Sequence, residues 1–224
     1  MSDAQLPLDL GHVTALAEGD FLVAACNAEA HAWLKRWPDW PGPASVITGP
    51  PGSGKTHLAH LFAAASGAAL VAAAGLGVGD PPRLLAGGKA LVVEDCDGGG
   101  LDETALFHLI NLTKETGRFL LLTATQPPRR WGVALPDLSS RLLAMPVLAI
   151  GAPDDSVLAA VLVKLFADRQ VRVGEDLVSY LLGRMERSFA AARALVDRLD
   201  RAALAGHRPV TVPLARAVLD GEGE

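Results

Sequence analysis

The chain has 224 residues, half of them hydrophobic, with 25 acidic against 20 basic side chains and a formal charge of −5. That length suits one large domain or a core with a small appendage, and it can bury a full core. The acidic balance argues against a dedicated nucleic-acid surface. Its two cysteines, Cys26 and Cys96, have no metal-ligand spacing, which fits a reduced cytoplasmic compartment. The start lacks a basic region followed by an apolar run, so no signal peptide is expected, and no apolar stretch reaches the length of a membrane span.

Taken in order, residues 1–11 show no helical period. Within them Gln5-Leu6-Pro7-Leu8-Asp9-Leu10 sets leucines at alternate positions, and Pro7 disfavours helix. This pattern suits an edge strand packed on its own domain or an extended segment entering another protein's groove. Residues 21–40 read as a strand-like start and then a helix with Asn27 as N-cap, and Trp33, Trp37 and Trp40 read as core aromatics. Ala44 to Thr48 reads as a short buried strand.

Next comes Gly49-Pro50-Pro51-Gly52-Ser53-Gly54-Lys55-Thr56, the G-x-x-x-x-G-K-[ST] pattern of a phosphate-binding loop. It lies between a strand and a run of good helix formers at 58–65, the order the motif requires. Glycines let successive N–H groups converge on a phosphate, and the helix N-terminus adds its positive end. Lys55 would reach the β- and γ-phosphates of ATP, and the Thr56 hydroxyl would sit on Mg²⁺. Gly49, Gly52, Ser53, Gly54, Lys55, Thr56 and His57 are the candidate nucleotide-holding residues.

Residues 68–74 read as a sheet-core strand, and the glycines and prolines of 75–89 read as loop. Ala90 to Asp95 is an apolar strand ending in two acids, the form of a Walker B segment. There Glu94 would hold Mg²⁺ and Asp95 would orient the attacking water. Asp102 is placed to cap a helix ending near Gly117. A further strand over 119–123 ends in Ala124-Thr125-Gln126, where a polar side chain can meet the γ-phosphate or the water. A short helical stretch at 138–143 contains Arg141, and a strand follows at 146–150. From about 156 the pattern is all helical, over 156–168, 175–186, 188–205 and 213–219. The boundaries expected are a tail at 1–11, an α/β nucleotide-binding domain at 12–151 and a helical domain at 152–224.

Several blocks together resemble the AAA+ core of the DnaA family, and more closely its short Hda branch. They are the entry segment from Asp20-Phe21-Leu22-Val23 through Asn27 to Ala32, Phe107-His108 through Asn111 and Thr116-Gly117, Leu121-Leu122-Thr123 to Pro127-Pro128, and Leu135-Pro136-Asp137-Leu138 with Ser140-Arg141-Leu142. The resemblance covers roughly 12–219. It implies a parallel-sheet, three-layer α/β P-loop core with a small helical lid. It also implies that Arg141 is an arginine finger for a neighbour's nucleotide and Arg187 the sensor 2 arginine. The catalytic candidates are thus Arg141, Asp95 and Thr125; Thr56 and Glu94 are the metal candidates, and Arg187 joins the nucleotide set.

Gln5, Leu6, Leu8 and Leu10 are similar to the peptide by which proteins dock on the replicative sliding clamp. The resemblance therefore implies a cytoplasmic negative regulator of replication initiation, without the DNA-binding domain of DnaA. Such a protein binds ADP or ATP with Mg²⁺, engages the DNA polymerase III clamp and DnaA, and promotes hydrolysis of DnaA-bound ATP; a homo-oligomer is a further expectation. Glu94 stands where the family usually has Asp, and Thr125 where relatives often carry an acid. Both departures imply weak ATPase activity of its own and ADP as the resting ligand. The competing expectation is a self-sufficient ATPase acting as helicase loader or initiator factor. A P-loop small-molecule kinase is disfavoured by the paired acids and the helical C-terminal part.

Overall fold

The computed structural model describes residues 21–221. The leucine row at Gln5, Leu6, Leu8 and Leu10 lies outside the described residues.

The core is a five-stranded parallel sheet with β1 (Ala44–Thr48), β2 (Ala69–Ala72), β3 (Ala90–Glu94), β4 (Phe119–Ala124) and β5 (Val147–Ala149). Their spatial order is β2-β3-β4-β1-β5. Every residue of β1 is buried, as a parallel strand covered on both faces requires. Side chains alternate between two cores, because successive strand residues point to opposite faces. Val46, Leu91, Val93, Leu120 and Leu122 pack under α3 (Pro81–Ala86), α4 (Glu103–Thr116) and α5 (Pro136–Leu143). Ile47, Val92, Leu121 and Leu148 pack under α1 (Ala28–Lys35) and α2 (Lys55–Ser66). The tryptophans pack as expected on this second face: Trp40 stacks on Phe62 at 5.1 Å and Trp37 meets Phe62 edge-on at 6.1 Å. Trp33 donates from its ring nitrogen to Ser45 Oγ at 2.9 Å.

Beyond β5 the chain forms α6 (Asp155–Asp168), α7 (Glu175–Leu182), α8 (Phe189–Ala205) and α9 (Val212–Leu219). These bury a core of their own around Leu162, Phe166, Leu181, Val196 and Leu214. A P-loop sheet with helices on both faces and a helical lid is the expected fold class.

Several local expectations are corrected. Residues 21–24 form no strand. Asn27 does not cap α1; its side chain turns back, accepting from Ala24 N at 2.8 Å and donating to Leu22 O at 3.0 Å. The strand at 69–72 lies at the sheet edge, with no buried residue, rather than in its core. The supposed loop at 75–89 contains α3, because Pro81 and Pro82 open a helix at positions where a missing N–H costs nothing. Helix α7 stops at Leu182, four residues short of the expected end, at Gly183.

Candidate functional site

At the C-terminal end of β1 the chain turns through Gly49–Gly54 into α2. The glycines are demanded locally. Gly52 and Gly54 have φ of +71° and +100°, and a Cβ at Gly49 would lie 2.7 Å from Ile150 O. Gly49 N donates to Ala124 O at 3.2 Å, which ties the loop to the end of β4. No side chain caps α2, whose N-terminus points its positive end into the loop. Ser53 Oγ is buried without a hydrogen-bond partner. Lys55 is 8% exposed, and its ammonium donates to Gly49 O at 2.9 Å and Pro50 O at 3.1 Å. Burial pushes the Lys55 pKa down, while Asp95, Asp97 and Glu94 pull it back up. A partnerless hydroxyl, a buried ammonium and a glycine cradle that a Cβ would fill all suit a phosphate group.

Thr56 is exposed in the first turn of α2. His57 meets the Phe21 ring edge-on at 5.1 Å, and Phe21 stacks on His31 at 5.6 Å. A Cβ at Gly54 would stand 3.7 Å from Phe21 and 4.0 Å from Phe189. Aromatic side chains from the entry segment and the lid therefore flank the start of α2.

The acids gather at the neighbouring strand ends. Glu94 Oε1 is buried with no hydrogen-bond partner. Asp95 is exposed in the left-handed region, at φ 58°, and its N–H donates to Thr123 Oγ1 at 3.2 Å. Asp97 is a site residue that the sequence reading missed. Its carboxylate accepts from Thr125 N at 2.9 Å, Gln126 N at 2.7 Å and the Thr125 hydroxyl. Burial works against the charge on Asp97, but these donors outweigh it and hold the carboxyl below its ordinary range. Two strand ends carrying acid and hydroxyl side by side were the available signal. Cys96, buried beneath, has its thiol pushed far up by burial and is unreactive.

No group of three or more His, Cys, Asp or Glu side chains able to hold a metal occurs among the described residues. Mg²⁺ commonly uses one or two carboxylates with phosphate oxygens and water. Thr56 and Glu94 suit that kind of site.

The lid closes directly on the loop. Ser188 caps α8, accepting from Ala191 N at 3.0 Å. Phe189 N donates to Gly52 O at 3.1 Å, and a Cβ on Gly52 would stand 3.0 Å from Ser188 and Ala190. Arg187 immediately precedes Ser188, which lies against the loop, but its guanidinium is held by Asp155 through two 3.0 Å contacts. Arg141 lies on α5 with its guanidinium 5.1 Å above the Phe107 ring. The structure thus gathers the loop, Glu94, Asp95 and Thr125 at one sheet edge with the start of α8, while Arg141 is seated on α4.

The fold resembles domain III of the Thermotoga maritima replication initiation protein DnaA. The TM-score is 0.74 at 16% identity, covering 93% of this chain and 97% of that one. AMPPCP-bound DnaA from Aquifex aeolicus gives 0.69 at 16% identity, covering 83% and 65%. The RuvB Holliday junction branch migration motor of Thermotoga maritima gives 0.71 at 17% identity, covering 88% and 68%. Residues 155–219 match the family model described as the lid domain of Hda. A match to the Hda lid over residues 155–219 thus stands behind a sheet core folded like DnaA domain III.

Proposed function

We propose that this protein is a cytoplasmic, nucleotide-bound negative regulator of replication initiation that acts on DnaA. The observation that carries the reading is the match of residues 155–219 to the Hda lid, on a chain whose lid helix α8 packs against the phosphate loop. Adenine nucleotide would be held by Gly49, Gly52, Ser53, Gly54, Lys55, Thr56 and His57, with Arg187 reaching it from the lid. AMPPCP bound to the Aquifex DnaA supports an adenine nucleotide as the ligand class. Mg²⁺ would rest on Thr56 and Glu94, with Asp95 and Thr125 facing the phosphates. Residues 12–151 form the nucleotide-binding domain in this reading and 152–224 the lid; the tail at 1–11 engages the sliding clamp through Gln5, Leu6, Leu8 and Leu10. ADP is the resting ligand, and hydrolysis by the chain itself is slow.

The chemistry would take place on the partner's ATP. Phosphoryl transfer spreads negative charge over the γ-phosphoryl oxygens, and a guanidinium delivered across an interface stabilises it, worth about 10³–10⁵ in rate. Arginine stays charged and offers a planar fork of donors. Arg141 is the candidate; it is half-buried, with its guanidinium over the Phe107 ring. The test is single-turnover hydrolysis of labelled ATP preloaded on DnaA, with clamp loaded on DNA. Arg141→Ala is expected to keep fold, ADP binding and clamp binding and to lose the stimulation. Stimulation equal to the parent's would remove Arg141 from the mechanism. Replacing Gln5 and Leu6 with Ala is expected to abolish clamp binding in surface resonance without unfolding the body.

A further inference from the structure

Asp97 is the most heavily engaged carboxylate at the site, and no role proposed above uses it. It receives two backbone N–H groups and one hydroxyl from Thr125 and Gln126, residues 28 and 29 positions further along the chain. Those two residues continue directly from Ala124, whose carbonyl accepts from the phosphate loop at Gly49. The carboxylate is therefore fastened to the strand end that adjoins the loop. Two consequences follow from the geometry. The Thr125 hydroxyl, the polar group expected to meet a terminal phosphate, already donates its proton to Asp97. A fixed negative charge is also added to the strand end that carries Glu94 and Asp95, and all three carboxylates favour the charged form of Lys55.

We propose that Asp97 is a specificity-determining residue of the nucleotide site: its clasp on Thr125 and Gln126 withdraws the hydroxyl and keeps a negative charge next to the phosphate loop, so that the site prefers a nucleoside diphosphate to a triphosphate. The proposal rests on the reading of the loop as an adenine-nucleotide site. A diphosphate is served by the loop amides and Lys55. A third phosphate adds negative charge on the side where the acids stand, and finds the Thr125 hydroxyl already committed. Removing the Asp97 charge lowers the repulsion and weakens the hold on the hydroxyl, because a neutral acceptor makes a weaker hydrogen bond than a carboxylate, and both changes favour the triphosphate over the diphosphate.

The test is titration calorimetry of the full chain with MgADP and with MgAMPPCP, for the parent, Asp97→Asn and Asp97→Glu. The parent is expected to bind MgADP more tightly. Asp97→Asn is expected to move the affinity ratio towards MgAMPPCP by about threefold or more, the scale of one charge in a solvated cleft. Asp97→Glu, which keeps the charge, is expected to retain the diphosphate preference. Asp97→Ser, read in the same way, replaces Asp97→Asn should that variant fail to fold. A ratio unchanged in the neutral variant overturns the proposal, as does a parent that binds both ligands equally, or a Glu variant that shifts as far as the neutral one. A parent that binds neither ligand overturns the nucleotide reading itself, a result separate from a parent that binds both and a variant that leaves the ratio alone.

Discussion

Gly52→Ala probes the joint between phosphate loop and lid. Gly52 has φ +71°, so an alanine there costs about 1–2 kcal/mol of backbone strain. Its new Cβ would press on Ser188 and Ala190 at 3.0 Å, atoms anchored on α8 that cannot swing aside. Relief requires the lid to move and puts at risk the Phe189 N to Gly52 O bond, worth about 0.5–1.5 kcal/mol. The total is about 1.5–3.5 kcal/mol. Gly67→Ala is the control, because Gly67 has φ +70° but a Cβ there would meet nothing within 4 Å. It is expected to show the backbone strain alone. For a chain of this size each kcal/mol lowers the melting temperature by about 2–4 °C. Thermal melts should therefore place Gly52→Ala several degrees below Gly67→Ala. Calorimetry should find ADP affinity reduced in the first variant and unchanged in the second. Equal melting temperatures for the two variants would refute the argument that lid and loop are mechanically joined here.

Lys55→Ala should keep a folded protein and lose ADP affinity by about tenfold or more, read by titration calorimetry, since it deletes the buried cation that the proposed function assigns to the phosphates. Arg187→Ala should change stability by less than about 1 kcal/mol in urea melts, because its ion pair with Asp155 is exposed, yet weaken nucleotide binding if Arg187 leaves Asp155 for a phosphate. The Asp97 carboxyl is held below its usual pKa, so its stabilising effect is fully present above the ordinary carboxylate value and is lost as pH falls through the lower folded one. The stability gap between the parent and Asp97→Asn in urea melts should accordingly be present at neutral pH and close under strongly acidic conditions.

What could be read from the sequence were the features set by neighbours along the chain. The phosphate loop is one, since its glycine pattern encodes backbone conformations and the adjoining strand and helix supply its context. The buried strands at β1, β3 and β4 are others, because parallel strands covered on both faces are continuously apolar. The caps Asp102 and Ser188 act on N–H groups three residues away, so the helices they start were legible too. Position in the sheet was not legible: 69–72 is apolar like a core strand, and only the order of pairing put it at the edge. Helix α3 hid among prolines and glycines, because proline opens a helix as readily as it ends one.

The parts of the site that depend on tertiary structure were equally hidden. Asp97 reaches Thr125 across two adjacent strand ends, Phe189 reaches Gly52 across the whole length of the core, and Asp155 captures Arg187 between two lid helices. A motif records which groups the chemistry needs. The partner that holds each group, and therefore whether a hydroxyl or guanidinium is available to a ligand, is decided by contacts between segments far apart in sequence, which local pattern does not encode.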